Sequence, residues 1–221
     1  MKHTFSIMTF GVTIALALVA QAHADAVIAT VPTGLAPTAI AIDSVTNMIY
    51  VANGGSNSVT VINGSTNATT TINVEEAPEA IAVNPVTNII YVANTFSNSV
   101  TAINGSTNAT TTINVGGGPM AIAVNPLTNL IYVENGDSNS VTVINGSTNA
   151  TTAIAVGADP AGIAVNPATN MIYVANAVSN SVTAINGSTN ATTVIALGAV
   201  SGWIAVNPAT NMIYVASVMS G

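Results

Sequence analysis

The residues of this chain best placed to do chemistry are six carboxylates, Glu75, Glu76, Glu79, Glu134, Asp137 and Asp159. Two further acids, Asp25 and Asp43, lie apart from them. Carboxylate oxygens suit a hard cation such as Ca²⁺, which takes about six to eight oxygen ligands. They also suit a basic partner, or simply keep a nearly charge-free surface soluble. What is missing narrows the chemistry further. There is no Cys or Arg, the one Lys is Lys2, and the two His are His3 and His23. Beyond residue 23 the chain therefore has no base of the kind that activates a Ser, Cys or Lys nucleophile. Only carboxylate chemistry or a metal-bound water is left, so the expectation is a protein that is not an enzyme, with a metal-dependent hydrolase or lyase as the weaker alternative. The same lack of basic side chains argues against nucleic acid or an anionic membrane as partner.

The acids are positioned by a repeat. Tyr50, Tyr91, Tyr132, Tyr173 and Tyr214 are spaced 41 residues apart without insertion or deletion. A fixed period in this range signals a repeat architecture. Within residues 78–118, four short runs are rich in β-branched residues: Ala80 to Val83, Ile89 to Ala93, Ser99 to Ile103 and Thr110 to Val115. Asn, Gly, Pro, Ser and Thr clusters bound each run, which is the signature of strands and turns. Asn84-Pro85-Val86-Thr87-Asn88 and Asn104-Gly105-Ser106-Thr107-Asn108 share one pattern. The opening Asn suits an Asx-turn, and the closing Asn tolerates positive φ. Four hairpin-linked strands per repeat predict an all-β fold, a β-propeller of about five four-stranded blades. The repeats run roughly 37–77, 78–118, 119–159, 160–200 and a partial 201–221. The last blade is expected to be incomplete, or closed by an N-terminal strand at Val27 to Val31.

The segment after Lys2 has an apolar run from Ile7 to Val19 and a small-x-small ending at Ala22-His23-Ala24. This is the layout of a secretory signal peptide over residues 1–24, with the propeller over 25–221. The apolar run is short for a span, which needs about 20 residues, so no membrane insertion is expected after cleavage. The expected location is secreted, periplasmic or cell-surface.

Tyr-Val-Ala-Asn at Tyr50–Asn53, Tyr91–Asn94 and Tyr173–Asn176, with variants at Tyr132–Asn135 and Tyr214–Ser217, resembles the YVTN family of β-propeller repeats. The flanking IAVNPxTN and SNSVT-NGSTNATT segments extend the resemblance over residues 27–217. The resemblance implies a surface or exported propeller used in binding or in surface layers, and no particular reaction. Related propellers place metals or catalytic acids with His, which this chain lacks beyond residue 23.

Differences among the repeats concentrate in two segments, the one after each YVxN and the one joining successive repeats. Both are expected at one end of the blades, leaving the N-[P/G]-x-T-N turns at the other. Six acids, Phe96 and Met120 fall on this varied face, which makes it the candidate binding face. Glu134, Asp137 and Asp159 are the candidate metal ligands, with Ca²⁺ as the possible cofactor. Trp203 replaces Ala39, Ala80, Ala121 and Gly162 of the other repeats. It is expected to fill space left by imperfect closure, with stacking on a sugar as the functional alternative. The uniform face carries Asn-x-Ser/Thr sequons at Asn63, Asn67, Asn104, Asn108, Asn145, Asn149, Asn186 and Asn190, which are good turn residues and possible glycan acceptors. The expected function is a binding or scaffolding module for a protein or glycan, and the alternative is a lattice subunit that self-associates through open blade edges.

Overall fold

The computed structural model describes residue 27, residues 29–198 and residues 201–217. The fold is that of Pro32–Gly221, a unit separate from the residues before it. The expected leader, residues 1–24, lies outside the described residues.

The chain folds into a β-propeller array of four complete blades and one half blade. The first holds β1 (Pro37–Asp43), β2 (Met48–Asn53), β3 (Ser58–Asn63) and β4 (Thr69–Asn73). The second holds β5 (Pro78–Asn84), β6 (Ile89–Asn94), β7 (Ser99–Asn104) and β8 (Thr110–Asn114). The third holds β9 (Pro119–Asn125), β10 (Leu130–Asn135), β11 (Ser140–Asn145) and β12 (Thr151–Ala155). The fourth holds β13 (Pro160–Asn166), β14 (Met171–Asn176), β15 (Ser181–Asn186) and β16 (Thr192–Ala196). Among the described residues β17 (Ser201–Asn207) and β18 (Met212–Ser217) follow. Each sheet is antiparallel and ordered as the chain runs. The first strands of successive blades, β1, β5, β9, β13 and β17, lie side by side. Among the described residues, 27 and 29–31 lie outside any strand, so the closing strand expected at Val27 to Val31 is not seen there, and the last sheet has two described strands.

Turn chemistry fixes the hairpins as the residue types dictate. Asn63 Oδ1 accepts from the Ser65 and Thr66 amides at 2.9 and 3.1 Å, and Asn104 repeats this with Ser106 and Thr107. The closing Asn67, Asn88 and Asn108 take φ of 58°, 54° and 60°, the left-handed region that Asn tolerates better than most side chains. The sequon asparagines all lie at these β3–β4-type turns, and the first of each pair spends its carbonyl oxygen on the Asx-turn.

Packing between blades supplies the core. Tyr50, Val59, Val61 and Ile72 on one face of the first blade meet Ile90, Val92 and Ile103 on the second. The same stacking recurs between the second and third blades and between the third and fourth. Burying one such side chain contributes roughly 1.5–3 kcal/mol. The tyrosines are part of this contact: Tyr50, Tyr91 and Tyr132 are buried to within 1%.

The uniform face carries a belt of amides. Asn84, Asn125 and Asn166, at the ends of β5, β9 and β13, each donate Nδ2 to Oδ1 of a turn Asn of the next blade (Asn129, Asn170, Asn211) at 2.8 Å. Asp43 occupies the equivalent position at the end of β1 and has no N–H to give. Its Oδ2 and the facing Asn88 Oδ1 are both buried without a partner. Asp43→Asn is expected to complete the belt and raise unfolding free energy by about 1–2 kcal/mol, read by denaturant melts. An unchanged or lowered midpoint would show that the first blade does not use this link.

Candidate binding site

Two observations confirm that the varied segments share one end of the blades. The Gly54, Thr95, Gly136 and Ala177 amides, after the second strands, bond to the carbonyls of Ala36, Ala77, Gly118 and Asp159 in the inter-blade segments at 2.7–2.9 Å. The N-[P/G]-x-T-N turns pair with one another at the opposite end, through Gly64 to Asn47 and Gly105 to Asn88.

At this loop end every first strand opens with a register shift, at Pro37/Ala39, Pro78/Ala80, opposite Glu134/Asn135, Pro160/Gly162 and Ser201/Ile204. Such a bulge re-aims the side chain of the extra residue. Met120 and Ala161 are bulge residues, and Gly202 and Trp203 fall in the wider irregularity of β17. Together with Ala121, Glu134, Asp159 and Pro160 they line a pocket of about 260 Å³. That is slightly below the roughly 300–1,000 Å³ of drug-sized sites, so it suits a small ligand or one protruding group.

Two glycines lie close to the residues of the pocket. A Cβ on Gly136 would stand 3.4 Å from Met120 Sδ and 3.6 Å from Glu134 Oε1. A Cβ on Gly162 would stand 3.4–3.5 Å from the backbone of Gly202, Trp203 and Ile204, an ordinary contact distance.

Glu134 is the anomaly of the site. It replaces Ala52, Ala93 and Ala175 of the other blades, and it shares the face of β10 that carries Tyr132 toward the fourth blade. It is fully buried, and neither carboxyl oxygen has a hydrogen-bond partner. Burial pushes its pKa up to about 8, and the nearby negative charge of Asp159 adds to the shift. At neutral pH most copies therefore carry the proton. Asp159 sits at the rim, with its backbone in the left-handed region at φ 54° and its amide held by Asn139 Oδ1 at 2.8 Å. Trp203 is 77% exposed. The expectation that it fills space inside the fold is thus corrected: the bulge turns it outward over the pocket.

The other candidate residues lie apart from the pocket lining. Asp137 packs over Gly117 and Gly118, where a Cβ on Gly118 would clash with its carboxylate at 2.7 Å. Glu75 Oε1 accepts from Thr112 Oγ1 at 3.2 Å, and Glu76, Glu79 and Phe96 are exposed. No three acidic side chains are grouped to hold a metal ion among the described residues. The sequence reading missed Ala121, Pro160, Ala161 and Gly202, together with Gly136 and Gly162 behind the pocket wall. Glycines beside the one repeat that carries an acid in its second strand were the available signal.

A raised carboxyl pKa stabilises the fold below the unfolded value and loses that contribution as pH rises toward the folded value. For Glu134 the loss runs from about pH 4.5 to about 8. Glu134→Ala restores the residue of the other blades and is expected to raise stability by about 1–3 kcal/mol at neutral pH. It should also flatten the decline in stability across that window. Melts of both proteins from pH 5 to 8 check this, and parallel pH profiles would contradict it.

No protein-family model matches the chain, and none of the curated proteins matches it. Among solved structures, hydrazine synthase of Kuenenia stuttgartiensis superposes with a TM-score of 0.74 at 22% identity, over 84% of this chain and 56% of that one. A protein from Desulfotomaculum acetoxidans, described as functionally unknown, gives a TM-score of 0.72 at 16% identity, over 85% of this chain and 64% of that one. The chain spans less than two thirds of either. At these identities the likeness concerns the fold, a β-propeller-like array of repeated four-stranded units.

Proposed function

We propose that this is an exported, non-enzymatic propeller of the YVTN type that acts as a binding or scaffolding module at the cell surface or in the periplasm. The observation that carries the reading is the loop-end pocket, where an unpartnered buried acid stands opposite the bulge of β9 and an exposed Trp stands in the irregularity of β17. Rigid elements presenting varied loops are where binding sites are usually built. Support for export is the leader-like sequence of residues 1–24. A Ca²⁺ site is less well supported, because Glu134 and Asp159 are the only carboxylates lining the pocket. The same scarcity of ligands weighs against a metal-dependent hydrolase or lyase.

A second reading, a subunit of an assembly, is favoured by the two ends of the array. Ile81 and Val83 are partly buried against the first blade, but their counterparts Ile40 and Ile42 are 64% and 63% exposed. At the other end Met212 and Tyr214 are 52% and 57% exposed, whereas Tyr173 is 8% exposed. Ile195 is 45% exposed, and the sheet beside it has two strands among the described residues. The two bare surfaces have the character of the two halves of one blade–blade contact, which is the head-to-tail arrangement that builds rings or filaments.

Trp203 is the only tryptophan, so its emission reports on the pocket. A panel of small amines, sugars and carboxylates is expected to include at least one compound that shifts this emission saturably. No response to any class would contradict the binding reading. For the assembly reading, sedimentation should show concentration-dependent association that Ile40→Asp weakens, and a monomer at all concentrations would overturn it.

A further inference from the structure

The pocket combines three features that together restrict what it can hold. Its walls are mainly apolar: Met120, Ala121, Pro160, Ala161 and the indole of Trp203. Its acids are Glu134, fully buried with both oxygens unpartnered, and Asp159 at the rim. Among the described residues no basic side chain is present to neutralise them. The sequence has no Arg, and its only Lys and His are Lys2, His3 and His23, all outside the described residues. A buried carboxyl without a partner is costly unless it stays protonated or receives a charge or donor from outside.

A bare divalent cation fits poorly. Ca²⁺ seeks about six to eight oxygens, and a wall of Met, Ala, Pro and Trp side chains supplies none. An anion or an acidic sugar would face two acidic side chains and no basic one among the described residues. A neutral sugar could lie on Trp203 but would leave the acid pair without its counter-charge. An organic cation answers every feature. An aromatic face attracts an ammonium group within about 6 Å of the ring. The apolar walls accept its carbon substituents, and the carboxylates supply the charge.

We propose that the loop-end pocket is a site for small organic ammonium groups, with Trp203 as the aromatic face, Glu134 as the buried counter-charge and Asp159 as the rim charge. This rests on the binding reading above and names its ligand class. Binding a cation favours the ionised form of Glu134, so ligand uptake is coupled to proton release. The titratable group facing Glu134 from the packed elements is Asp159, from the segment before β13. Affinity therefore rises as pH increases through the range in which Glu134 gives up its proton in the free protein.

The test uses the full chain and the emission of Trp203. Choline and its uncharged carbon isostere, in which a quaternary carbon replaces the nitrogen, are titrated side by side. Choline is expected to bind at least about tenfold more tightly than the isostere. Glu134→Gln keeps the shape of the side chain and should remove most of that preference. If the isostere binds as well as choline, the cation proposal is overturned while the pocket remains a binding site. If neither binds, and the wider panel is also silent, both readings fall. Ca²⁺ displacing choline at comparable concentration would replace the proposal with a metal site. Equal binding by wild type and Glu134→Gln would exclude Glu134 as the counter-charge. Because Glu134→Gln alters a core position, circular dichroism and the thermal midpoint establish that the variant is folded. Calorimetry on Trp203→Ala, whose side chain is exposed, provides an independent arm and is expected to show at least about a tenfold loss.

Discussion

The structure depends on one constraint: every blade is apolar on both faces, so none can be stable without neighbours. A twisted four-stranded sheet of Val, Ile, Ala and Tyr has no solvated side to fall back on. Stacking satisfies it, with the tyrosine of one blade meeting the isoleucines and valines of the next. Because each contact is the same in kind, the 41-residue period is fixed by packing and the sequence can repeat almost without change. The cost appears at the ends of the array, where Ile40, Ile42, Met212 and Tyr214 stand bare.

Polar chemistry is organised around that packing. At the uniform end, amides link neighbouring blades, and the chain departs from the pattern only at Asp43. At the loop end, the buried asparagine of YVxN ties the second strand to the third. Asn53, Asn94 and Asn135 each donate to a Ser and a Thr of the following strand at 2.9–3.3 Å. These links make the loop end rigid, which is what allows a bulge to hold Met120, Ala161 and Trp203 in place. Glu134 then stands one residue before such an asparagine, inside the stack instead of on its surface.

Strands and turns were legible because their causes are local. Alternating β-branched runs and Asn-Pro or Asn-Gly turns act over five to ten residues, and in the second blade every observed strand end lies within two residues of the expected one. The two-faced arrangement was legible from the same connectivity. Glu134 was legible as an oddity in the repeat but not as buried, because carboxylates are ordinarily placed at the surface. Its depth follows from the alternation of β10, in which it shares a face with the buried Tyr132. Trp203 was misjudged for a related reason. Aromatic bulk suggests filling, but the register shift in β17 turns the ring outward, and a register shift is set by pairing across the sheet. The separation of Asp137 from Glu134 and Asp159 was likewise invisible, since it comes from the glycines over which Asp137 folds.

The central claim is that the chain holds an ionisable, unpartnered acid in the wall of the loop-end pocket. The most direct measurement is a carbon-13 NMR titration of the glutamate carboxyl groups, of which the sequence has only four. The account predicts one signal, removed by Glu134→Ala, that titrates near pH 8 and shifts toward its ionised position when choline is added at neutral pH. A Glu134 signal already ionised well below neutral pH, and indifferent to choline, would contradict it.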